Sequence, residues 1–299
     1  MVNNTAMDLL FEAVAVKGHV CVGLDTAAEY VPPAERRKAV NDADAVLSFN
    51  KALIDATCDA VACYKVQIAY YEEMGLAGLE TYSKTLQYIR QKGSLVIADI
   101  KRGDIADTAA RYAKAHFSGG FEADFVTLNP YLGIDSLDPW FAEARVCGGK
   151  GAFVLVRTSN PGMRDFQFLE LAGKNSNRLY NEVGNRLSAL AELHKGNCGY
   201  GIFGAVIGCT EKQEAAEIRK NYPNLFFLIP GYGAQGGGAA DAALLLREGN
   251  GGVVNASRSI ITAWKAATET ENANNGFAAD AARNAVIKMR DEILKEVHD

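Results

Sequence analysis

The sequence predicts a single-domain α/β protein folded as a closed (β/α)8 TIM barrel, and three observations support that prediction. Short apolar runs alternate with amphipathic helical stretches eight times within the 299 residues. The runs are hydrophobic almost throughout, as expected of parallel strands that are buried on both faces. No GxGxxG motif follows the first run, which disfavours an open dinucleotide-binding sheet. We therefore expect one closed barrel spanning residues 1–299.

Each strand is predicted from a short apolar run that ends in a polar or glycine-rich segment. The stretches between these runs repeat apolar residues at the spacing of a helix with one buried face. The predicted strands are His19–Leu24, Ala62–Val66, Leu95–Ile100, Asp124–Leu128, Ala152–Val156, Gly201–Ile207, Leu225–Ile229 and Gly252–Asn255.

The connections indicate where the chain departs from a minimal barrel. An N-terminal amphipathic helix is expected before the first strand, because acidic residues interrupt its apolar ones and the segment lacks the basic start of a signal peptide. Longer insertions are expected at about 26–61 and 157–200, each with room for a helix. The chain should close with a helix from Ala278 to Val297, after a solvated loop from Thr268 to Gly276.

Composition and charge disfavour several classes of function. A net charge of -5, without a basic tract, is unlike a nucleic-acid-binding surface. The chain has no run of about 18 uncharged apolar residues of the kind that spans a bilayer. Its six cysteines show neither a CxxC pair nor metal-ligand spacing, so we expect free thiols and no metal site. These features together predict a soluble protein in the reducing cytoplasm.

The stretch Val96–Tyr112 concentrates charge where a buried strand gives way to a helix. Asp99 and Lys101 should share one face of the strand because side chains alternate along it, while Asp104 opens the helical run that follows. Such groups are costly to desolvate unless they pair, and perturbed charges of this kind cluster at functional sites. On these residues alone, an alternative is that Asp99 faces a loop and that Lys101 and Arg102 extend into water.

Further polar groups end neighbouring strands, at the rim where barrels of this kind place their chemistry. Lys65 interrupts an apolar run and needs an acidic partner, for which Asp99 on the next strand is a candidate. Asp25 closes the first strand, where a helix cap or a turn is an alternative interpretation. Ser159 follows the fifth strand. Asn129 and Arg157 end strands at the same rim, and the sequence assigns them no role.

Two segments near the C-terminus predict an anion site. The seventh strand leads into PGYGAQGGG at 230–238, and the eighth leads into a segment that carries Arg258. Glycines let backbone N–H groups approach an anion closely, and loops after strands seven and eight commonly bind phosphate in these barrels. Arg258 would add a forked donor group. The alternative is a flexible glycine loop beside a surface arginine.

Together these residues resemble the orotidine 5'-phosphate decarboxylase family, particularly its longer bacterial branch. The resemblance covers nearly the whole chain and is carried by DIKRGD at 99–104, by Lys65 and by PGYGAQGG at 230–237. It implies a TIM barrel that forms a homodimer with active sites at the subunit interface. It also implies decarboxylation of orotidine 5'-phosphate to UMP, the last step of de novo pyrimidine biosynthesis, without metal or organic cofactor.

The resemblance further implies a role for each matched residue. Lys101 would stabilise the carbanion at C6 and protonate it, and Asp99 would lie beside the substrate carboxylate. Lys65 would bridge Asp99 and the ribose, and Asp104 would reach the partner's substrate. The substrate-binding residues implied are Asp25 for a ribose hydroxyl, Thr108 across the interface, Ser159 for the pyrimidine edge, Gln235 between phosphate and base, and Gly236, Gly237 and Arg258 for the phosphate.

Three alternatives stay open on the sequence. The first is a magnesium-dependent sugar-phosphate decarboxylase or aldolase of the same superfamily, although Lys65 stands where those relatives place a metal-binding glutamate. The second is a barrel that binds nucleotides without catalysis. The presence of all four charged catalytic residues that the resemblance implies, Lys65, Asp99, Lys101 and Asp104, disfavours it. The third is a structural or interaction protein, for which no repeat or exposed apolar stripe gives support.

Overall fold

Eight parallel strands close into a ring in the computed structural model, which describes residues 4–172, 177–210, 212–233, 236–266 and 276–298. Around the ring the strands follow the order β1-β10-β9-β8-β5-β4-β3-β2, and β1 also pairs with β2. The predicted (β/α)8 TIM barrel is therefore confirmed. The barrel strands are β1 (Val20–Gly23), β2 (Cys63–Gln67), β3 (Leu95–Arg102), β4 (Phe125–Leu128), β5 (Gly151–Arg157), β8 (Phe203–Ile207), β9 (Phe227–Ile229) and β10 (Gly252–Ala256); β6 (Glu170–Leu171) and β7 (Asn177–Arg178) form a separate antiparallel ribbon.

Helices connect successive barrel strands, as the alternating pattern predicts. The predicted insertion at about 26–61 contains two helices, and that at about 157–200 contains two helices and the ribbon. Of the predicted loop Thr268–Gly276, residues 268–275 lie outside the described residues. The helices are α1 (Ala6–Lys17), α2 (Pro33–Arg36), α3 (Asp42–Thr57), α4 (Ala69–Glu72), α5 (Gly75–Gln91), α6 (Ala106–Phe117), α7 (Asp138–Val146), α8 (Met163–Phe166), α9 (Leu179–Leu193), α10 (Lys212–Asn221), α11 (Ala239–Ala243), α12 (Arg258–Ile261) and α13 (Phe277–His298), with 3-10 turns at Ala28–Tyr30, Ile134–Leu137 and Ala263–Ala266.

The barrel interior is filled by a cluster that takes a side chain from every barrel strand. These inward residues share one cluster because alternate positions of a strand face the same side. The residues on the opposite face, such as Val96, Ala98 and Ile100 of β3, belong to a second cluster beneath the helices. The inward side chains are Cys21, Cys63, Ile97, Phe125, Phe153, Val206, Leu228 and Val253.

Helix α1 closes the end of the barrel opposite the strand termini that carry the polar groups. Its start is fixed by a capping box, in which Thr5 Oγ1 accepts a hydrogen bond from Asp8 N and Asp8 Oδ2 accepts one from Thr5 N. Met7 and Leu10 join the interior cluster, and Ala6 N donates to the carbonyl of Gly149 just before β5. Across the described ranges, no helix combines the length and the apolar character needed to cross a membrane.

Candidate active site

The carboxyl ends of the barrel strands surround a cavity of about 600 Å3. Its walls include Asp25 after β1, Lys65 on β2, and Asp99 and Lys101 on β3. These residues belong to three segments that lie far apart in the sequence, and the parallel pairing of β1, β2 and β3 brings their side chains to one rim. Ser159 after β5 and Arg258 after β10 line the same cavity.

The four charged side chains form a continuous row of alternating sign. Lys65 Nζ lies 3.0 Å from Asp25 Oδ1 and 2.9 Å from Asp99 Oδ2. Lys101 Nζ lies 2.6 Å from the other oxygen of Asp99, Oδ1. Each inner member therefore has opposite charges on both sides, which keeps it ionised although it is buried.

Asp99 is the centre of this row, and each of its carboxylate oxygens receives two donors. Oδ1 accepts from Lys101 Nζ and, at 2.8 Å, from Thr127 Oγ1. Oδ2 accepts from Lys65 Nζ and, at 3.0 Å, from Gln67 Nε2. Neither neutral donor is among the site residues predicted from the sequence. Gln67 was detectable as the polar end of β2, whereas Thr127 looks like an ordinary strand residue.

The row perturbs the ionisation of its two buried members. Burial by itself would raise the pKa of Asp99, but Lys65 and Lys101 outweigh it and hold the pKa well below the ordinary carboxyl range. Burial would lower the pKa of Lys65, but Asp25 and Asp99 raise it above the usual lysine range. Both groups are therefore charged at neutral pH. The side chain of Lys101 is 47% exposed and lines the cavity, and its ammonium is held by the carboxylate of Asp99.

The backbone of β3 is irregular where it presents Lys101. The register with β4 is regular up to the pair Ala98 and Val126, and then shifts so that Arg102 pairs with Leu128. Lys101 has a φ of 45°, which is uncommon for a residue other than glycine. The strand therefore bulges at the position that delivers the ammonium.

The glycine-rich segment after β9 forms a tight loop at the rim. Gly231 and Gly233 have φ values of 104° and 71°, which glycine adopts readily. Gly237 N donates to Gly231 O at 3.0 Å, and a Cβ at Gly237 would lie 2.4 Å from Cys209 Sγ, so a side chain has no room there. Gly236, with a φ of 92°, continues the turn. Gln235 lies outside the described residues.

Arg258 follows β10, the strand that pairs with β9, and so lies at the same rim as this loop. It opens α12, its side chain is exposed, and it lines the cavity together with Gly231 and Tyr232. Within the part of the chain that the structure describes, its guanidinium makes no ion pair and is available to an anionic ligand. The two halves of the predicted phosphate site thus border one space.

Ser159 lines the same cavity from a loop after β5 that side-chain hydrogen bonds hold in place. Gln167 accepts a hydrogen bond from the backbone N–H of Thr158 at 2.9 Å and donates to Thr158 Oγ1 at 2.9 Å. Thr158 Oγ1 also donates to Asn160 Oδ1 at 2.6 Å. These contacts fix the loop that carries Ser159 into the cavity. Gln167, from the second insertion, is a further residue that is not among those predicted from the sequence.

Asp104 and Thr108 lie apart from the charged row of their own chain. Neither is among the described residues that line the cavity, and Asp104 Oδ1 accepts a hydrogen bond from the adjacent N–H of Ile105 at 2.8 Å. Two apolar side chains are exposed nearby, since Ile105 is 56% and Tyr131 81% exposed. Gly103 allows these segments to approach closely, because a Cβ at this position would lie 3.2 Å from the carbonyl oxygen of Asn129.

The two rim residues left without a role have different surroundings. Asn129 Oδ1 accepts from the backbone N–H of Tyr131 at 3.0 Å and so shapes the turn after β4. Arg157 is fully buried and donates to the carbonyl of Gly208. Neither side chain is among the described residues that line the cavity.

The donor set of the cavity does not suit a divalent cation. Lys65 Nζ occupies the space between the carboxylates of Asp25 and Asp99, and its positive charge repels a metal ion. Among the described residues, no group of three or more His, Cys, Asp or Glu side chains could hold a metal ion.

A (β/α)8 barrel with a row of paired charges at its strand ends, and with a glycine loop and an arginine at the same rim, defines a class of enzymes that bind phosphorylated small molecules. The sequence model of the Orotidine 5'-phosphate decarboxylase / HUMPS family matches residues 18–273. The chain belongs to this family.

Curated relatives and solved structures agree with that assignment. The chain is 51% identical over 292 residues to orotidine 5'-phosphate decarboxylase of Clostridium tetani, covering 98% of this chain and 99% of the relative. It is 53% identical over 289 residues to the protein of the same name from Clostridium acetobutylicum, covering 97% and 99%. The structure of Leishmania donovani OMP decarboxylase superposes with a TM-score of 0.76 at 30% identity, covering 99% of each chain.

Proposed function

We propose that this protein decarboxylates orotidine 5'-phosphate to UMP and carbon dioxide, the last step of de novo pyrimidine biosynthesis. The observation that carries the proposal is the ammonium of Lys101, held 2.6 Å from the buried carboxylate of Asp99 and facing a cavity that Arg258 also lines. Family membership and relatives of the same name at about half identity support it.

The reaction needs a positive charge beside C6 of the pyrimidine. Loss of carbon dioxide leaves a carbanion in the plane of the ring, where the π system cannot delocalise it. A fixed ammonium stabilises that charge as it develops and then supplies the proton that completes UMP. We assign both tasks to Lys101, because Asp99 holds its amine and the remainder of the side chain is open to the cavity.

Asp99 and its neighbours hold this arrangement. In the proposal, Asp99 lies beside the substrate carboxylate, where repulsion is relieved as carbon dioxide leaves. Lys65 fixes Asp99 through a contact of 2.9 Å and lies between it and Asp25. We assign Asp25, whose side chain is 21% exposed, to a ribose hydroxyl. The sequence-based expectation that Lys65 also reaches the ribose is part of this proposal.

The remaining residues that the family resemblance implies are assigned to the two ends of the nucleotide. Arg258 and the backbone of Gly236 and Gly237 hold the phosphate, and Ser159 contacts the pyrimidine edge. Gln235 links phosphate and base in this proposal. Binding energy from the phosphate dianion, remote from the bond that breaks, can then be used to close the glycine loop and stabilise the transition state.

The proposal includes a homodimer with shared active sites. Asp104 and Thr108 do not line the cavity of their own chain, and Ile105 next to Asp104 is an exposed apolar residue. If a second copy of this chain covers Ile105 of the first, then Asp104 and Thr108 of the first copy lie at the active-site cavity of the second. The cytoplasmic location expected from the sequence also stays a proposal, supported by six cysteines that are all free thiols.

The test is a spectrophotometric assay of orotidine 5'-phosphate consumption in the presence of EDTA. Turnover that survives EDTA supports the proposal, whereas dependence on magnesium favours the sugar-phosphate enzyme. Tight binding of UMP without turnover favours a non-catalytic nucleotide-binding barrel.

Substitution of Lys101 tests the assigned chemistry. Lys101→Ala should lower kcat by about a thousandfold or more while UMP binding is partly retained. The matched control is Lys84→Ala, because Lys84 is an exposed lysine on α5 whose partner is Glu80 at 2.8 Å. Full turnover by Lys101→Ala would show that another group donates the proton.

A further inference from the structure

We infer that Thr127 is the positioning residue that orients Lys101, an inference that rests on the proposed function for its effect on turnover. The side chain of Thr127 projects from β4 into the cavity and is only 1% exposed. The Thr127 side chain contacts both the carboxylate of Asp99 and the backbone N–H of Lys101.

The register places Thr127 alone opposite a longer segment of β3. Ala98 pairs with Val126 and Arg102 pairs with Leu128. Residues 99–101 of β3 therefore face one residue of β4, and the regular ladder of backbone hydrogen bonds is interrupted between the two pairs. A side chain at Thr127 is the group available to satisfy the backbone of this bulge.

The hydroxyl of Thr127 hydrogen-bonds to the backbone of this bulge and to Asp99, and these contacts use its whole hydrogen-bonding capacity. Oγ1 accepts from Ile100 N at 3.0 Å and from Lys101 N at 2.9 Å. A hydroxyl has two acceptor lone pairs and one proton, so these two contacts leave only the proton to be donated. It is donated to Asp99 Oδ1 at 2.8 Å, the oxygen that also receives the ammonium of Lys101.

This arrangement couples the backbone of Lys101 to the position of its side chain. Lys101 has a φ of 45°, a conformation that residues with a Cβ adopt only when their surroundings hold them there. The hydrogen bond from its N–H to Thr127 holds it, and the same hydroxyl orients Asp99 toward the ammonium. Loss of the hydroxyl would therefore release the bulge and displace the amine from its carboxylate.

Gln67 provides a contrast within the same site. Its side-chain amide donates to Asp99 Oδ2 at 3.0 Å, and β2 pairs it with Asp99 in regular register. It therefore supports the carboxylate as Thr127 does, but the described contacts of its side chain include no backbone group of β3. A variant without the Gln67 amide therefore loses one donor to Asp99 but keeps the hydrogen bonds that hold the bulge. It serves as a control for Thr127 variants, which lose both.

The first experiment compares kinetic constants and UMP binding. Thr127→Val, which keeps the shape and removes the hydroxyl, should lower kcat about a hundredfold with the Kd for UMP within about threefold. Thr127→Ser should restore kcat to within about tenfold of the parent. Thr81→Val, which removes another buried hydroxyl that donates to Ala43 O, should leave kcat unchanged within about twofold. Equal losses in Thr127→Val and Thr127→Ser would overturn the inference, as would an unchanged kcat in Thr127→Val.

The second experiment needs no turnover and separates this inference from the proposed function. Amide hydrogen exchange at Ile100 and Lys101, measured by NMR on the unliganded protein, should accelerate at least about tenfold in Thr127→Val and stay unchanged in Gln67→Met. Unchanged exchange in Thr127→Val would overturn the inference even if the enzyme is active. Failure of the parent to decarboxylate orotidine 5'-phosphate would instead overturn the proposed function.

If Thr127→Val does not fold, Thr127→Cys decides the question with a smaller change. A thiol is a weaker donor and acceptor than a hydroxyl, so the same amides should exchange faster and kcat should fall at least about tenfold. Parent-like exchange and kcat in Thr127→Cys would then reject the role of Thr127.

Discussion

Lys65 Nζ and Asp99 Oδ2 lie 2.9 Å apart with both side chains only 6% exposed. Water does not solvate either charge well, so each depends on the other and on the flanking Asp25 and Lys101. The pair fixes the carboxylate from which Lys101 extends, and its integrity determines both the stability of the rim and its chemistry.

Lys65→Met should destabilise the protein by about 3–5 kcal/mol at neutral pH, because it leaves Asp99 buried with one cation fewer. The folded-state pKa of Asp99 is lowered in the parent, so the parent keeps this stability above about pH 4 and loses it as the pH falls further. In Lys65→Met that pKa rises, Asp99 takes up a proton at higher pH, and the deficit should narrow below about pH 5. Urea unfolding from pH 4 to 8 measures the difference in the free energy of unfolding between the parent and Lys65→Met, with Lys84→Met as the surface control. A deficit that is independent of pH would contradict this account.

Asp104→Ala and Lys101→Ala should each be nearly inactive alone and active when mixed. If each site combines Lys101 of one subunit with Asp104 of the other, a mixed dimer contains one intact site. An equal, fully reassorted mixture should therefore recover about a quarter of parental activity. Co-expression with two affinity tags and double purification isolates the mixed dimer, which should show about half of parental activity because one of its two sites is intact. Absence of rescue at every mixing ratio would show that the sites are not shared.

Gly237→Ala should weaken binding at the phosphate end of the cavity. The added Cβ would lie 2.4 Å from Cys209 Sγ and 2.8 Å from Gly231 O, so the loop must move to accommodate it. We expect KM for orotidine 5'-phosphate to rise about tenfold, equivalent to about 1.4 kcal/mol of lost binding. Gly120→Ala is the matched control, because a Cβ there meets no atom within 4 Å. Equal KM values for the two variants would argue against a role of the loop in binding.

His116 should make the protein less stable as the pH falls from about 6.5 to about 4. It is 2% exposed and stacks on Phe121, and burial together with nearby Arg102 lowers its pKa to about 4. The unfolded chain, with a histidine pKa near 6.5, binds the proton first, so protonation in this window favours unfolding by up to about 3 kcal/mol. His116→Gln should flatten this part of the stability profile, measured by urea unfolding. The same change at half-buried His194 should have a smaller effect, and equal effects would refute the explanation.

The positions of the barrel strands followed from the sequence because a buried parallel strand leaves a strong local signal. The apolar runs of β3 and β5 predict strands that the structure extends by one or two residues, to Arg102 and to Arg157. The charged residues Lys65 and Asp99 were predictable for a related reason. A charge within an apolar run requires a partner, and neighbouring strands supply one.

Thr127 and Gln167 were not predictable in the same way. A threonine in the run FVTL is an ordinary strand former, and its function depends on a register shift between β3 and β4 that neither strand encodes alone. Gln167 lies in an insertion, and its contacts with Thr158 arise only when that insertion folds back on the rim. Tertiary context determines both contacts, whereas periodicity reports only local structure.

Helix α1 has a practical consequence for anyone who shortens or fuses this chain. Met7 and Leu10 cover the lower ends of the inward-facing side chains, including Phe226 and Cys21. A truncated variant beginning at Val20 would leave that apolar surface open to water and should aggregate on expression. A tag joined before Thr5 leaves α1 and its packing against the barrel interior intact, provided that the linker does not distort the first turn of the helix.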